Sequence, residues 1–347
     1  MRSQPSPFKN FPVLRRLLAV TPWLVLPVIG FSQTAITGWT LGSSDAADSA
    51  AYGDTFRNST FNVTSFTAGT TKTVDTSATS TYIRRSSAGG NSNLWMVQNG
   101  SLTDLRGMNP STGTLENVLS GNNVLQGGND LFVNTGGSPG SVNTNVERID
   151  FAWAAGFTTV SDQGFAVFDR GANDGFQIAV ITGWNSMTNA PTAYGATKDV
   201  ASTSYGSNLA ADWVAGGGTE TAFTATALRF LTNSTLTTLD SSQSVGGGLG
   251  GVFISFADLG IADGTTVYGY SIMATDVTNT VANLVNWTNS TYYPTNTPDS
   301  TVGSLDLAGF NGRRFVPEPA TYGAILIGAT AALIGWRRRR VRVQTAA

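Results

Sequence analysis

The 347-residue chain has no cysteine and no histidine, and only 12% of its residues are charged. Without cysteine it has no disulfide framework and no thiolate chemistry. Without histidine it lacks the commonest general base and the commonest transition-metal ligand. The charged fraction is about half of the roughly 25% usual in soluble domains. Gly, Thr, Ser and Asn fill the difference. Basic charge is scarcest in the long middle: residues 33–315 carry eleven Lys or Arg against twenty-one Asp or Glu. Binding to a phosphate backbone needs a basic stripe, so nucleic acid is excluded as a partner for this stretch. The missing disulfides do not point to the cytoplasm, because a large β domain is held together by burial alone.

The remaining basic residues lie at the two ends. Arg2, Lys9, Arg15 and Arg16 precede an apolar run from Leu17 to Phe31, and small residues follow at Ser32 and Ala35. A charged leader, an apolar core of about 7–15 residues and small residues after it make a secretory signal peptide. An uncleaved anchor is the competing reading, and Pro22 and Pro27 weaken any helix it would need. Residues 1–32 are therefore assigned as a signal peptide, with cleavage after Ser32 or Ala35.

At the other end, Ala320 to Trp336 is an uncharged run of 17 residues, followed by Arg337, Arg338, Arg339 and Arg340. Seventeen is near the lower limit for a transmembrane helix. An arginine cluster stops transfer and stays cytoplasmic. A buried core helix is a poor alternative, because the abutting guanidiniums would have no partners. Just before the run stand Pro317, Glu318 and Pro319.

This order resembles the PEP-CTERM sorting signal of exported proteins in Gram-negative bacteria that secrete exopolysaccharide: Pro-Glu-Pro, one short span, then arginines at the end of a chain that begins with a signal peptide. The resemblance implies recognition of Pro317, Glu318 and Pro319 by an exosortase-type membrane protease, with the helix and Arg337 to Arg340 as the retention element. It implies transient anchoring in the inner membrane, then delivery to the cell surface or extracellular matrix. The prolines fix φ and withhold strand hydrogen bonds, so the motif is expected to be extended and open to an enzyme.

Between the ends, the pattern is strand and turn. "RIDFAWAAGF" from Arg148, "GFAVFDR" from Gly164, "FQIAVITGW" from Phe176, "GVFISFADL" from Gly251 and "TVYGYSIMA" from Thr266 carry apolar residues at period two, bounded by Gly, Asp and Asn. "GANDG" at 171–175 reads as the turn of a β-hairpin joining the second and third of these. "SLDLAGF" before the tail reads as a last short strand. The helix candidates, near Ser207 to Val214 and Ser255 to Leu259, are too short for crossovers of a parallel sheet. Residues 33–144 are richer in small polar residues, either a linker or long loops of one domain, and their apolar stripes favour loops. The expected fold is all-β: an antiparallel β-sandwich of jelly-roll type over 33–315, followed by a sorting tail at 316–347 with its motif at 316–319, helix at 320–336 and basic end at 337–347. Several of these segments are also similar to parts of uncharacterised surface proteins that carry the same tail.

Candidate chemistry fails on missing parts. "GGSPG" centres Ser138 in a nucleophile-elbow spacing, but no histidine exists to activate it. Lys72 and Lys198 are the only lysines of the body. Asp150, Asp162, Asp169, Asp174, Glu116, Glu147 and Glu220 supply carboxylates whose mutual distances decide whether they act on glycosides. "DRGANDG" from Asp169 has the look of a calcium loop, yet Val180 stands where its bidentate Glu belongs. Trp184, Trp213, Tyr292 and Tyr293 are candidates for stacking on sugars. No catalytic residue, metal ligand or cofactor is assigned. The expectation is a non-enzymatic structural or adhesive surface protein. Its partners are signal peptidase and the exosortase-type protease during export, the membrane transiently, and exopolysaccharide. The alternative is a carbohydrate-binding module or glycoside-active enzyme of the matrix.

Overall fold

A computed structural model describes residues 33–42, 47–51, 54–57, 61–87, 92–99, 104–107, 114–135, 145–206, 225–233, 239–244, 248–278, 280–318 and 330–334. The expected signal segment at 1–32, Ser138, Trp213, Glu220, the 207–214 helix candidate, Pro319 and Arg337 to Arg340 lie outside them. The described chain is mostly antiparallel β-sheet. Residues 330–334 are helical, and among the described residues no helix is long and apolar enough to cross a membrane.

One sheet runs in the order β1 (Thr34–Ala35), β17 (Leu249–Ser255), β12 (Gly164–Arg170), β20 (Arg313–Pro317), β6 (Thr70–Ser77), β5 (Asn62–Ala68) and β2 (Gly38–Gly42). A second runs β16 (Leu239–Ser244), β15 (Ala225–Asn233), β8 (Ser92–Asn99), β9 (Asp104–Arg106), β4 (Asp54–Arg57) and β3 (Ala47–Ala51). Beside it, β10 (Asn123–Gly128) pairs with β8 and with β19 (Ala308–Gly309). The third runs β14 (Ala190–Val200), β13 (Phe176–Asn185), β18 (Thr266–Met273), β11 (Val146–Thr158) and β7 (Ser80–Arg85). Of the strand pairs, β4 with β9 is parallel.

Among the described residues, three strands are buried on both faces and sort their side chains by parity between two cores. Phe165 and Val167 of β12 enter the larger core, Ala166 and Phe168 the smaller. Likewise Leu94 and Met96 of β8 oppose Trp95 and Val97, and Val252 and Ile254 of β17 oppose Leu249 and Phe253. Such strands carry unbroken apolar runs, because neither face meets water. Charge is correspondingly sparse there: β8 and β17 carry none, and β12 carries only Asp169 and Arg170 at its end.

Two sequence expectations give way. The "GANDG" segment does not join a hairpin: β12 pairs with β17 and β20, while β13 pairs with β14 and β18 in another sheet. The chain arches between sheets with Gly171 at φ 100° and Ala172 at φ 54°, held by Asn173 N–H donating to Asp169 Oδ2 at 3.2 Å. Gly and Asn permit left-handed backbone in either kind of turn, so the local signal is shared. The polar stretch from Thr67 to Tyr82 forms the end of β5, all of β6 and the start of β7, each paired with strands that come later in the chain. Residues 256–260 are turns, closed by Ser255 Oγ and Asp258 Oδ2 at 2.7 Å.

Candidate functional site

Alternation on β11 faces Ile149, Phe151 and Trp153 into the larger core and leaves Arg148 and Asp150 on the opposite side of the sheet. Register places Asp150 opposite Tyr82 on β7 and Ser271 on β18, and Arg148 opposite Arg84 and Met273. Gly269 of β18 has φ 134°, and a Cβ there would lie 2.0 Å from the Phe151 carbonyl oxygen, so only glycine fits.

The result is a buried ionic knot. Arg148 grips Asp150 with two prongs, Nε to Oδ1 at 2.6 Å and Nη2 to Oδ2 at 3.1 Å. Arg84 Nε donates to Oδ2 at 2.6 Å, and the Ser271 hydroxyl donates to Oδ1 at 2.6 Å. The Tyr194 hydroxyl lies 2.8 Å from Ser271 Oγ. Arg148 also donates to the Leu284 carbonyl and to the Tyr293 hydroxyl, which itself donates to Leu284 O at 2.8 Å. Burial alone would raise the Asp150 pKa, but Arg148, Arg84 and the Ser271 hydroxyl outweigh it and hold the carboxyl below its usual range. For Arg148, burial works against the charge and Asp150 restores it.

Above the knot, rings and guanidiniums stack in a ladder. Tyr82 and Trp184 lie 5.7 Å apart; Arg84 sits 4.7 Å from the Tyr82 ring and 4.9 Å from Trp287. Arg148 sits 5.0 Å from Trp287 and 5.4 Å from Tyr194. The ladder fastens the segment carrying Leu284, Trp287 and Tyr293 onto the third sheet. Tyr82, Trp184, Trp287 and Tyr292 are half-buried, whereas Tyr293 is buried. Two guanidiniums against one carboxylate leave a surplus positive charge.

A second cluster forms where the arch after β12 meets the segment before β19. Asp169 Oδ1 accepts the Asp306 N–H at 2.9 Å, and Asp306 Oδ1 accepts the Asp130 N–H at 2.9 Å. Arg170 pairs with Asp306 and donates to Asn129 Oδ1 at 2.8 Å. Asp174 and Asp299 stand close enough to act on this group. Five carboxyls thus crowd this region, and one guanidinium, that of Arg170, offsets three of them: Asp130, Asp174 and Asp306. Burial, then neighbouring carboxylates, push Asp130 and Asp174 up to about 7. Asp306 is also raised to about 7, by burial first and against the pull of Arg170. Asp169 is raised well above its ordinary value by burial, Asp306 and Asp174. The Tyr205 hydroxyl is buried without a hydrogen-bond partner among the described residues, and its pKa is raised by burial and by these carboxylates. Among the described residues no three acidic side chains converge to hold a metal ion.

The other sequence candidates are dispersed. Lys72 is buried, donates to the Asp162 carbonyl at 3.0 Å, and lies 5.0 Å from the Phe253 ring. Its pKa is lowered by burial. Lys198 sits on β14 opposite Ile178. Glu116 lies in the first turn of the short helix α1 (Leu115–Leu119), which Thr114 caps. Glu147 is buried and raised to about 7 by burial.

Of the residues expected to form a sorting motif, Pro317 closes β20 opposite Lys72 and is buried; Glu318 is half-buried and its N–H donates to Thr71 O at 3.2 Å. The expectation of an open motif therefore does not hold for these two residues. Bonds alternate along an antiparallel pair. The Glu318 bond puts the ladder on Val316 and Glu318, and turns the Pro317 nitrogen away from β6, where it costs no hydrogen bond. Sequence reading missed the knot and the acidic cluster. The knot had a signal: Arg148 and Asp150 alternate with core residues in a chain otherwise sparing of charge.

The chain matches no protein-family model, no curated protein and no solved structure.

Proposed function

We propose that this chain is a non-enzymatic exported protein with a structural or adhesive role at the cell surface or in the extracellular matrix of a Gram-negative bacterium. In this reading residues 1–32 direct export, an antiparallel sandwich of jelly-roll type is the cargo, and an exosortase-type protease processes the tail. The observation that carries it is the order Pro317-Glu318-Pro319, apolar run, Arg337 to Arg340, in a chain that opens with a signal-like segment. The body supports it in two ways. Strands such as β8, β12 and β17 are apolar on both faces, which suits a load-bearing scaffold. The most buried ion pair among the described residues is consumed in fastening a long segment to a sheet, with each Asp150 oxygen already accepting two hydrogen bonds.

The test is fractionation of cells that express the chain with an internal epitope. Surface or matrix recovery is expected, and replacing Arg337 to Arg340 by serine should leak unprocessed protein past the inner membrane. Recovery in the cytosol contradicts the proposal.

A second reading, binding of an acidic polysaccharide, is favoured by the half-buried row Tyr82, Trp184 and Trp287 beside surplus guanidinium charge. Against it, Arg84 already covers faces of Tyr82 and Trp287. Retention of the purified protein on one uronate-rich glycan, lost on Trp184→Ala, would establish it.

A further inference from the structure

The strand that leads into the proposed sorting motif is part of the folded body, paired with β6 and β12. Phe315 is fully buried against Phe66, with ring centroids 4.7 Å apart. Arg314 pairs with Asp75 on β6, and Arg313 donates to the Gly121 carbonyl at 3.1 Å. Pairing with β6 continues through Val316 and Pro317 to the Glu318 N–H. Pairing of β20 with β12 ends earlier, at Phe315 opposite Gly164.

Proteases that cleave extended segments hold the substrate by main-chain hydrogen bonds, in the manner of an added strand. Along Val316 to Glu318 one strand edge is taken by β6. The opposite edge, beyond the end of β12, presents the Pro317 nitrogen, which has no hydrogen to donate. Neither edge of the docked segment offers a full ladder to an enzyme.

We propose that the folded body withholds the first two motif residues from the protease, so that processing proceeds only when the end of β20 detaches from β6. This rests on the sorting reading and adds its regulation: a body that has docked β20 is processed at the rate of strand-end opening. Openings of this local kind occur far more often than global unfolding, because only a terminal stretch of ladder is lost.

Three forms of the full chain test this: the parent, one with Gly-Ser-Gly-Ser inserted between Val316 and Pro317, and one with the same insert after Pro319. The first insert frees the motif; the second changes only the distance to the following helix. Processing is followed by pulse–chase in a host that has the sorting protease. Hydrogen exchange at the Glu318 amide is measured on unprocessed parent from a host without it. The expected result is a protected Glu318 amide and processing roughly fivefold or more faster for the upstream insert, with the downstream insert at the parental rate. Equal rates for all three overturn the gating, as does a Glu318 amide that exchanges like an unstructured peptide. If no form is processed, the sorting reading itself falls and the gating with it. Glu318 protection, measured without the protease, separates that outcome from a failure of the gating alone.

Discussion

Among the described residues of the body, two buried charge clusters follow opposite logic. Around Asp150, one carboxylate is shared by two guanidiniums and a serine hydroxyl, and its pKa is held down. Around Asp169 and Asp306, several carboxyls share one guanidinium, and their pKa values are pushed up. Burial acts the same way in both; the number of opposing charges decides the sign. The first cluster is a charged fastener. The second favours its protonated form and holds shape through backbone N–H groups donated to Asp169 and Asp306.

The largest expected effect comes from breaking the first cluster. Asp150→Asn leaves Arg148 buried without its counter-charge and should destabilise the protein by about 3–5 kcal/mol in denaturant unfolding at pH 7. The opposite sign is expected in the second cluster. Asp174→Asn removes a carboxyl that burial penalises, so it should stabilise the protein at pH 8, on the order of 1–3 kcal/mol, and change little at pH 5. Equal destabilisation by both substitutions would erase the distinction.

The pH profile sharpens the same contrast. Asp130, Asp174, Asp306 and Glu147 have folded values of about 7, above their unfolded ones. Their stabilisation is present below about pH 4 and lost as pH rises through about 7. Asp150 is depressed, so its contribution is present above about pH 4 and lost as pH falls further. Thermal melts should therefore show stability falling between pH 5 and 8, with Asp174→Asn flattening that slope. The smallest effect belongs to the ladder: Trp287→Ala removes two cation–π contacts and should cost about 1–2 kcal/mol, and proteolysis should then nick residues 280–294 first.

Strands with apolar runs were legible in the sequence, because burial on both faces fills the middle of β12 (Phe165 to Phe168) and of β17 (Val252 to Ile254) with apolar residues. Strand β14 was not: its "APTAYGATKDV" has three buried positions among exposed polar ones. The partners of β12 were illegible for another reason. An arch between sheets and a hairpin use the same Gly and Asn residues, and only pairing with strands far along the chain separates them. Asp169 and Asp306 lie 137 residues apart, and nothing in "DRGANDG" announces the later segment that completes its cluster. The motif illustrates the converse: Pro317 reads as a strand breaker, yet its nitrogen faces the side where β12 has already ended.

The central claim is that the body travels outward and parts from its tail. Intact-mass measurement of the mature protein, purified from hosts with and without the exosortase-type protease, tests it most directly. The account predicts a chain that begins after Ser32 or Ala35 in both hosts and, only where the protease is present, ends at or near Pro317 to Pro319. A mature chain that still ends at Ala347 in the protease-positive host would contradict it.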